Sequence, residues 1–167
     1  MKKYNSAVFY GDSITCGEGV LRAYKPADSA TYTAETQNAL QSYSAYCAQE
    51  LGASFEIFGR GGITLKYLNT ATEEFSVLNN FRSYAVDMSV EKGECPEYDF
   101  SSVPDAVVIY LGTNDYLKWK DKNSFPYAGM KAAYMEFVDA AVGAYYGYDI
   151  PVVLCSGLMV HGSGLDG

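Results

Sequence analysis

Four short apolar segments, separated by stretches long enough for helices, constrain the fold more than any other feature of the sequence. They are Ser6–Tyr10, Phe55–Phe58, Asp105–Leu111 and Pro151–Cys155, and Gly11 closes the first. Runs that are apolar on both sides of the pleat are typical of strands buried on both faces. Strands that alternate with helices need crossover connections, which produce a parallel sheet covered by helices. The sequence therefore predicts a three-layer α/β/α sandwich, formed by a single domain over residues 1–167.

Two of the intervening stretches carry apolar residues at helical spacing. Thr36–Leu51 is predicted to be a helix that stops at Gly52, and Tyr127–Tyr146 is predicted to be a second. Residues 65–84 are predicted to be helical in part, and Val86–Pro104 to be an irregular surface segment. The apolar face predicted for the first helix comprises Leu40, Tyr43, Cys47 and Leu51. The face predicted for the second comprises Met130, Tyr134, Phe137, Val138, Ala141 and Tyr145.

Charge and hydropathy disfavour two classes of partner. The chain has 12 Lys and Arg against 20 Asp and Glu, a formal net charge of -8, which opposes binding to nucleic-acid phosphates. No apolar run approaches the ~20 residues that a membrane-spanning helix needs. Because Met1–Asn5 leads into the first strand without the apolar stretch of a signal peptide, we expect a cytoplasmic location for the chain as written. Secretion would follow if it belonged to a longer exported protein.

Cysteine spacing gives no indication of a metal site. Cys16, Cys47, Cys95 and Cys155 form no CxxC pair and have no histidine at metal-ligand spacing. Buried free thiols are the interpretation we favour. No cofactor motif is present either: Gly11–Gly17 superficially resembles a phosphate loop but lacks its Gly-Lys-Ser/Thr ending.

Polar segments follow three of the predicted strands directly. Gly11–Thr15 follows the first strand, Gly59–Gly62 the second and Gly112–Asp115 the third. The carboxyl ends of parallel strands meet at one edge of a sheet, where ligands bind. Each segment alone is typical of an ordinary turn or loop cap. Together, Ser13 and Asn114 indicate a hydroxyl beside converging N–H donors, which is what acyl transfer requires.

These segments carry a family resemblance. Tyr10–Thr15 (YGDSIT) resembles the nucleophile block of the GDSL or SGNH hydrolases, and Leu111–Asp115 (LGTND) resembles their asparagine block. Together with Glu35–Thr36 and Gly59–Gly61, Gly11–Gly17 (GDSITCG) most resembles the family 2 carbohydrate esterases, which remove acetyl groups from plant polysaccharides. The resemblance implies a flavodoxin-like SGNH fold and an esterase that acts on small acyl esters, with acetylated carbohydrate as the expected substrate.

The same resemblance implies roles for individual residues. Ser13 matches the nucleophile, with its backbone N–H in the oxyanion hole, and Asn114 matches the side-chain donor. Gly59 fits the backbone donor, with Gly61 and Gly62 as alternatives. The neighbouring carboxylates of Asp12 and Asp115 are expected to hold their own turns by hydrogen bonding.

One part of the family pattern is missing. The family places its base in an Asp-x-x-His motif near the C-terminus, whereas here twelve residues follow Cys155 and no such motif occurs. His161, the single histidine, is expected to be a loop residue rather than the base. We therefore interpret the chain as a truncated domain that lacks its last strand and helix, with weak or absent activity. Such a sheet would expose an unpaired edge, and we expect a homodimer to cover it.

Aromatic residues beside the asparagine are candidates for sugar binding. Trp119 and Tyr116 follow Asn114 closely and could stack on a sugar ring, although anchoring of the loop is the alternative reading. Tyr24 and Tyr32 are weaker candidates. Two other functions stay open: a non-catalytic carbohydrate-binding relative that has lost its base, and a nucleotide- or flavin-binding protein. The carboxylate of Glu18 opposes the second, because it would repel phosphate.

Overall fold

A four-stranded parallel sheet forms the centre of the molecule. The computed structural model describes residues 3–21, 33–66, 76–78, 98–119, 121–146 and 149–156. The strands lie in the order β2-β1-β3-β4, and each pairing is parallel. Their bounds are β1 Ser6–Gly11, β2 Ser54–Gly59, β3 Ala106–Tyr110 and β4 Val152–Leu154. All four predicted strands are confirmed.

Helices follow the strands along the chain. The described residues include three α-helices: α1 Tyr43–Leu51, α2 Thr113–Lys118 and α3 Tyr127–Gly143. Short 3₁₀ turns precede α1 and α3 and cover Ala34–Thr36, Ala39–Gln41 and Lys122–Ser124.

The helix predicted over Thr36–Leu51 begins only at Tyr43 and buries a different face. Asn38 interrupts it, because its backbone is extended and its side chain accepts the Leu40 N–H at 3.0 Å. Gly52 ends α1 in the left-handed conformation, as predicted. Three of the predicted core residues are exposed, namely Leu40, Cys47 and Leu51. The residues that α1 buries are the small ones, Ser44, Ala45 and Ala48.

Burial of the cysteines is confirmed for one of the three that the structure describes. Cys16 is buried, Cys155 is half-buried and Cys47 is exposed on α1. Burial, reinforced by the nearby carboxylates of Glu18 and Asp12, raises the pKa of the Cys16 thiol to about 12. A thiol with so high a pKa is a poor nucleophile at neutral pH, which fits a structural role.

Side chains of β1 alternate between two apolar layers. Ala7 and Phe9 pack with Ala48 of α1 on one face of the sheet. Val8 and Tyr10 point to the other face, where they join the larger core. The α3 residues buried in that core are Met130, Ala133, Phe137 and Ala141. Helices therefore cover both faces, which confirms the three-layer α/β/α architecture and most of the apolar face predicted for α3.

Aromatic residues fill much of the larger core. The Tyr10 ring lies 5.1 Å from Phe58 and 5.3 Å from Phe137, and Phe100 lies 5.3 Å from Tyr145. The hydroxyls of Tyr10 and Tyr145 lie near each other, but their geometry does not form a hydrogen bond, and no other described residue bonds to either. Burial, and to a lesser extent this proximity, raises the pKa of Tyr10. Some of the 16 tyrosines in the sequence therefore serve packing.

The described part of the sheet ends at β4. Two side chains of this short strand are half exposed, Val153 at 50% and Leu154 at 56%. Coverage of this edge by a second copy of the chain stays a prediction. Within the described residues, no helix combines the length and the apolar character needed to cross a bilayer.

We predict opposite effects for two Tyr→Phe substitutions in this core. Tyr145→Phe removes a buried hydroxyl without a partner and is expected to leave the free energy of unfolding unchanged or raise it. Tyr134→Phe removes a hydroxyl that is hydrogen-bonded to the backbone of Leu111, and is expected to lower that free energy by about 1 kcal/mol. Urea unfolding of the two variants measures the difference. Equal losses of unfolding free energy in the two variants would contradict these hydrogen-bond assignments.

Candidate active site

Strand register brings the three predicted site segments to one edge of the sheet. Gly11 at the end of β1 lies opposite Gly59 on β2 and Tyr110 on β3. The chain therefore leaves all three strands at the same level. The segments that contain Ser13 and Asn114 meet there, as the motif spacing predicts.

Ser13 occupies a tight turn directly after β1. The carbonyl of Asp12 accepts the Cys16 N–H at 3.0 Å, and the carbonyl of Ser13 accepts the Glu18 N–H at 2.9 Å. The Asp12 carboxylate accepts the Ile14 N–H at 3.0 Å, which fixes the start of the turn. Ser13 is half-buried, and none of the described residues forms a hydrogen bond with its hydroxyl.

Close packing holds this turn against the rest of the fold. A Cβ at Gly11 would lie 1.8 Å from Oγ1 of Thr15, so the position admits only glycine without rearrangement. Gly17 has a φ of +68° and lies against the Asn38 carbonyl. The Thr15 hydroxyl forms a hydrogen bond of 3.1 Å with the hydroxyl of Tyr43, the first residue of α1. The turn is thus fixed from both the sheet and the helix.

Asn114 links the three segments through its side-chain amide. It lies in the first turn of α2, after Gly112, whose φ of +98° turns the chain sharply out of β3. Its Nδ2 donates to the Ile63 carbonyl at 2.9 Å and to Oδ2 of Asp12 at 3.3 Å. Ile63 belongs to the segment after β2 and Asp12 to the turn after β1. The amide therefore touches all three strand ends.

Two buried carboxylates lie beside these groups. Asp12 holds its own turn, as predicted, but Asp115 mainly holds a different segment, which the sequence-based prediction did not include. Its carboxylate accepts the N–H of Leu65 at 2.8 Å and that of Lys66 at 3.0 Å. Burial outweighs these hydrogen bonds and raises the pKa of both Asp12 and Asp115.

The three candidate backbone donors after β2 differ in their contacts with the nucleophile turn. A Cβ at Gly59 would lie 2.8 Å from Sγ of Cys16 and 3.4 Å from the Asp12 carbonyl, so Gly59 lies directly against this turn. A Cβ at Gly61 would meet the Glu18 carboxylate at 1.7 Å, whereas a Cβ at Gly62 would meet no atom within 4 Å. Gly59 and Gly61 thus lie against the turn, and Gly62 does not. Which of the three donates to an oxyanion stays a prediction.

Tyr116 and Trp119 pack around Phe125. The Trp119 indole N–H donates to the Ser124 hydroxyl at 3.2 Å, and its ring lies 6.1 Å from Phe125. The Tyr116 ring lies 5.3 Å from Phe125, and the Lys122 ammonium lies 4.8 Å from its centre. These contacts are those of a loop anchor, and a part in substrate binding stays a prediction. The other candidates, Tyr24, Tyr32 and His161, lie outside the described residues.

Sequence reasoning missed the partners that these site residues have. Ile63 contributes a backbone carbonyl, and Leu65 and Lys66 contribute backbone N–H groups. Main-chain groups carry no residue-specific signal, so no motif could have identified them. Within the described part of the chain, no group of three or more His, Cys, Asp and Glu side chains is arranged to hold a metal ion.

Fold and site together define the class. A parallel α/β/α sheet with a Gly-Asp-Ser turn after its first strand and a linked asparagine after the third is an SGNH-type hydrolase fold. The family model for GDSL-like lipases and acylhydrolases matches residues 8–148 of the chain. The chain belongs to this GDSL-like lipase/acylhydrolase family.

Similar proteins are carbohydrate esterases, which confirms the resemblance to family 2. Cellulase/esterase CelE of Acetivibrio thermocellus is 31% identical over 159 residues, which are 95% of this chain and 18% of that protein. An active-site mutant of a family two carbohydrate esterase from Clostridium thermocellum is 29% identical, with a TM-score of 0.73. A family two carbohydrate esterase from the same organism, in complex with cellohexaose, is 28% identical, with a TM-score of 0.71. Both structural matches cover 99% of this chain and 47% of the other, so the chain spans less than half of these relatives.

We predict that the buried carboxyl groups of Asp12 and Asp115 have higher pKa values than the exposed carboxyl group of Asp99. Burial raises the pKa of Asp12 and Asp115 above 3.8, whereas hydrogen bonds from Ser101 lower that of Asp99. The folded state then binds protons at the buried sites more tightly than the unfolded chain does. Their contribution to stability is complete below pH 3.8 and is lost as the pH rises through the raised pKa values. Side-chain carboxyl ¹³C shifts followed against pH test this, and an Asp115 that titrates below Asp99 would refute it.

Proposed function

We propose that this chain carries the nucleophile and the oxyanion-binding groups of a serine esterase that removes acetyl groups from carbohydrate. The observation that carries the proposal is the juxtaposition of a Ser13 hydroxyl without a hydrogen-bond partner among the described residues and an Asn114 amide held at the neighbouring strand end. Asp12 joins the two, since it begins the serine turn and accepts from the asparagine. The cellohexaose complex of a similar family two esterase supports a carbohydrate substrate.

Ser13 attacks the ester carbonyl in the proposed reaction. Its Oγ bonds to the carbonyl carbon, the carbonyl electron pair moves onto oxygen, and the sugar oxygen then leaves with a proton. The resulting acetyl-serine is hydrolysed by water, which releases acetate. The negative charge of each tetrahedral intermediate needs preorganised N–H donors, and the proposed donors are the N–H groups of Ser13 and Gly59 and the side chain of Asn114.

Asn114 can donate without losing its own support. Its hydrogen bond to Ile63 is short at 2.9 Å, whereas its contact with Asp12 is long at 3.3 Å. We expect the short bond to persist and the second amide hydrogen to turn from Asp12 to the substrate oxygen as charge develops. Catalytic hydrogen bonds commonly tighten only in the transition state.

The reaction also needs a base for the Ser13 proton. No histidine lies among the described residues, and the single one, His161, lies outside them. In an experiment, imidazole in solution can accept this proton. The reactivity of Ser13 can then be tested without knowing which residue is the natural base.

Ser13→Ala is expected to abolish hydrolysis of p-nitrophenyl acetate above the buffer rate. The wild-type chain is expected to hydrolyse the ester faster when imidazole is added, because imidazole accepts the serine proton. Ser13→Ala, measured at the same imidazole concentrations, defines the uncatalysed background. Ser101→Ala is the matched control, because its hydroxyl only donates to the exposed Asp99 carboxylate.

An imidazole-stimulated rate equal in wild type and Ser13→Ala would overturn the proposed nucleophile. If neither protein hydrolyses esters but the wild type binds cellohexaose in calorimetry, the chain is a non-catalytic carbohydrate-binding relative instead.

Asn114→Ala is expected to lower kcat for the same ester by ~10²–10³, with KM nearly unchanged, because the lost donor acts mainly in the transition state. Asn123→Ala, on an exposed 3₁₀ turn, is the control and should keep the wild-type kcat. Steady-state kinetics with imidazole held constant measure both variants. A rise in KM without a fall in kcat would assign Asn114 to substrate binding rather than to the oxyanion hole.

A further inference from the structure

Asp115 is a buried carboxylate that the proposed reaction does not use. It is 5% exposed and directly follows Asn114 in α2. Both of its oxygens have partners, since Oδ2 accepts the Leu65 N–H and Oδ1 accepts the Lys66 N–H. These two residues lie fifty and forty-nine positions earlier in the chain. The carboxylate thus attaches α2 to a distant segment, and its burial is costly unless those contacts are made.

The segment that Asp115 holds is also the one that supports Asn114. The Ile63 carbonyl, two residues before Leu65, accepts the Asn114 amide at 2.9 Å. Consecutive residues of α2 therefore bind the same short segment in opposite senses. Asn114 donates to it and Asp115 accepts from it, so the segment is fixed at two points.

Carbonyl groups of the same segment are bonded as well. The Thr64 carbonyl accepts the Val77 N–H at 2.9 Å, and the Leu65 carbonyl accepts the Leu78 N–H at 3.1 Å. The N–H groups of Leu65 and Lys66 are instead directed to Asp115. Loss of the carboxylate would leave these two N–H groups without their acceptor while the carbonyl contacts remain. The expected response is a local displacement of Ile63 rather than release of the whole segment.

We propose that Asp115 is a positioning residue for the esterase reaction. By holding Leu65 and Lys66, it sets the place of the Ile63 carbonyl, which in turn fixes the Asn114 amide beside the serine turn. This inference rests on the proposed function, since its consequence for rate requires that Asn114 stabilise an oxyanion. Its structural part is that Asp115 controls the position of the Asn114 amide, and this can be measured even in an inactive protein.

Asp105 provides a matched control on the opposite edge of the sheet. Its Oδ2 accepts two consecutive backbone N–H groups, from Asn5 at 2.7 Å and from Ser6 at 3.2 Å. Asp115 accepts one N–H on each oxygen, whereas Asp105 accepts both on a single oxygen, and its partners lie at the start of β1 rather than beside the site. Asp105→Asn therefore removes the charge of a backbone-binding carboxylate while an amide oxygen can keep both bonds, and it leaves the segment after β2 untouched.

Asp115→Asn is expected to lower kcat for p-nitrophenyl acetate by about 10²-fold at constant imidazole, with KM unchanged. The amide keeps the size of the carboxylate but replaces one acceptor oxygen with an NH₂ group that faces a backbone N–H. Asp105→Asn is expected to keep the wild-type kcat at temperatures where circular dichroism shows both variants folded. Provided that the wild-type rate depends on Ser13, equal losses of kcat in the two variants, or no loss in either, would overturn the proposal.

The side-chain ¹⁵N–¹H signals of Asn114 give the readout that is independent of activity. They are identified by their disappearance in Asn114→Ala. We expect Asp115→Asn to shift these signals and speed their exchange with water, and Asp105→Asn to leave them in place. Unchanged Asn114 signals in Asp115→Asn would overturn the proposal even if the wild type were inactive.

Failure of the proposed function gives a different result, namely equal rates for wild type and Ser13→Ala with the Asn114 signals still dependent on Asp115. Should Asp115→Asn fail to fold, Asp115→Glu takes its place. It retains the carboxylate but displaces it on a longer side chain, so it is expected to shift the Asn114 signals and to lower kcat. An Asp115→Glu protein with the wild-type signals and the wild-type kcat would overturn the proposal.

Discussion

The pairing of β1 with strands on both sides is the constraint on which the rest of the molecule depends. Val8, Phe9 and Tyr10 are all buried, so β1 is covered on both faces as well as hydrogen-bonded along both edges. A shift of register by one residue would turn these side chains to the wrong layers. Register thus fixes the height at which Gly11 and Gly59 leave the sheet, and with it the separation of the segments that form the site.

Polar groups at this edge are arranged to offset the cost of their own burial. Asp12 and Asp115 are both buried, and desolvation alone would disfavour their charged forms. Backbone N–H groups and the Asn114 amide supply the compensating hydrogen bonds. A fully bonded network of this kind has few alternative arrangements. Within the described residues, the half-buried Ser13 hydroxyl takes no part in this network, which fits its proposed role as the nucleophile.

Sequence patterns predicted the strands well because apolar runs between turn residues have few other interpretations. They failed for α1, where Leu40 and Leu51 matched a helical period but the helix lies against the sheet through alanine and serine. The motifs also located Ser13 and Asn114. They gave no sign that Asp115 holds the segment after β2, because its partners there are main-chain N–H groups that any residue would present. The sequence spacing likewise gave no indication that Trp119 contacts Ser124 and Phe125.

The uneven exposure of the cysteines offers a way to observe the nucleophile turn directly. Cys47 is exposed on α1, whereas the Cys16 thiol is buried with a pKa of about 12, so of these two a maleimide reagent reaches Cys47 first. Tyr43, one helical turn before Cys47, is bonded to Thr15 of the serine turn. A fluorophore on Cys47 would therefore report, from outside the candidate active site, on rearrangements that a bound ester or sugar causes in that turn.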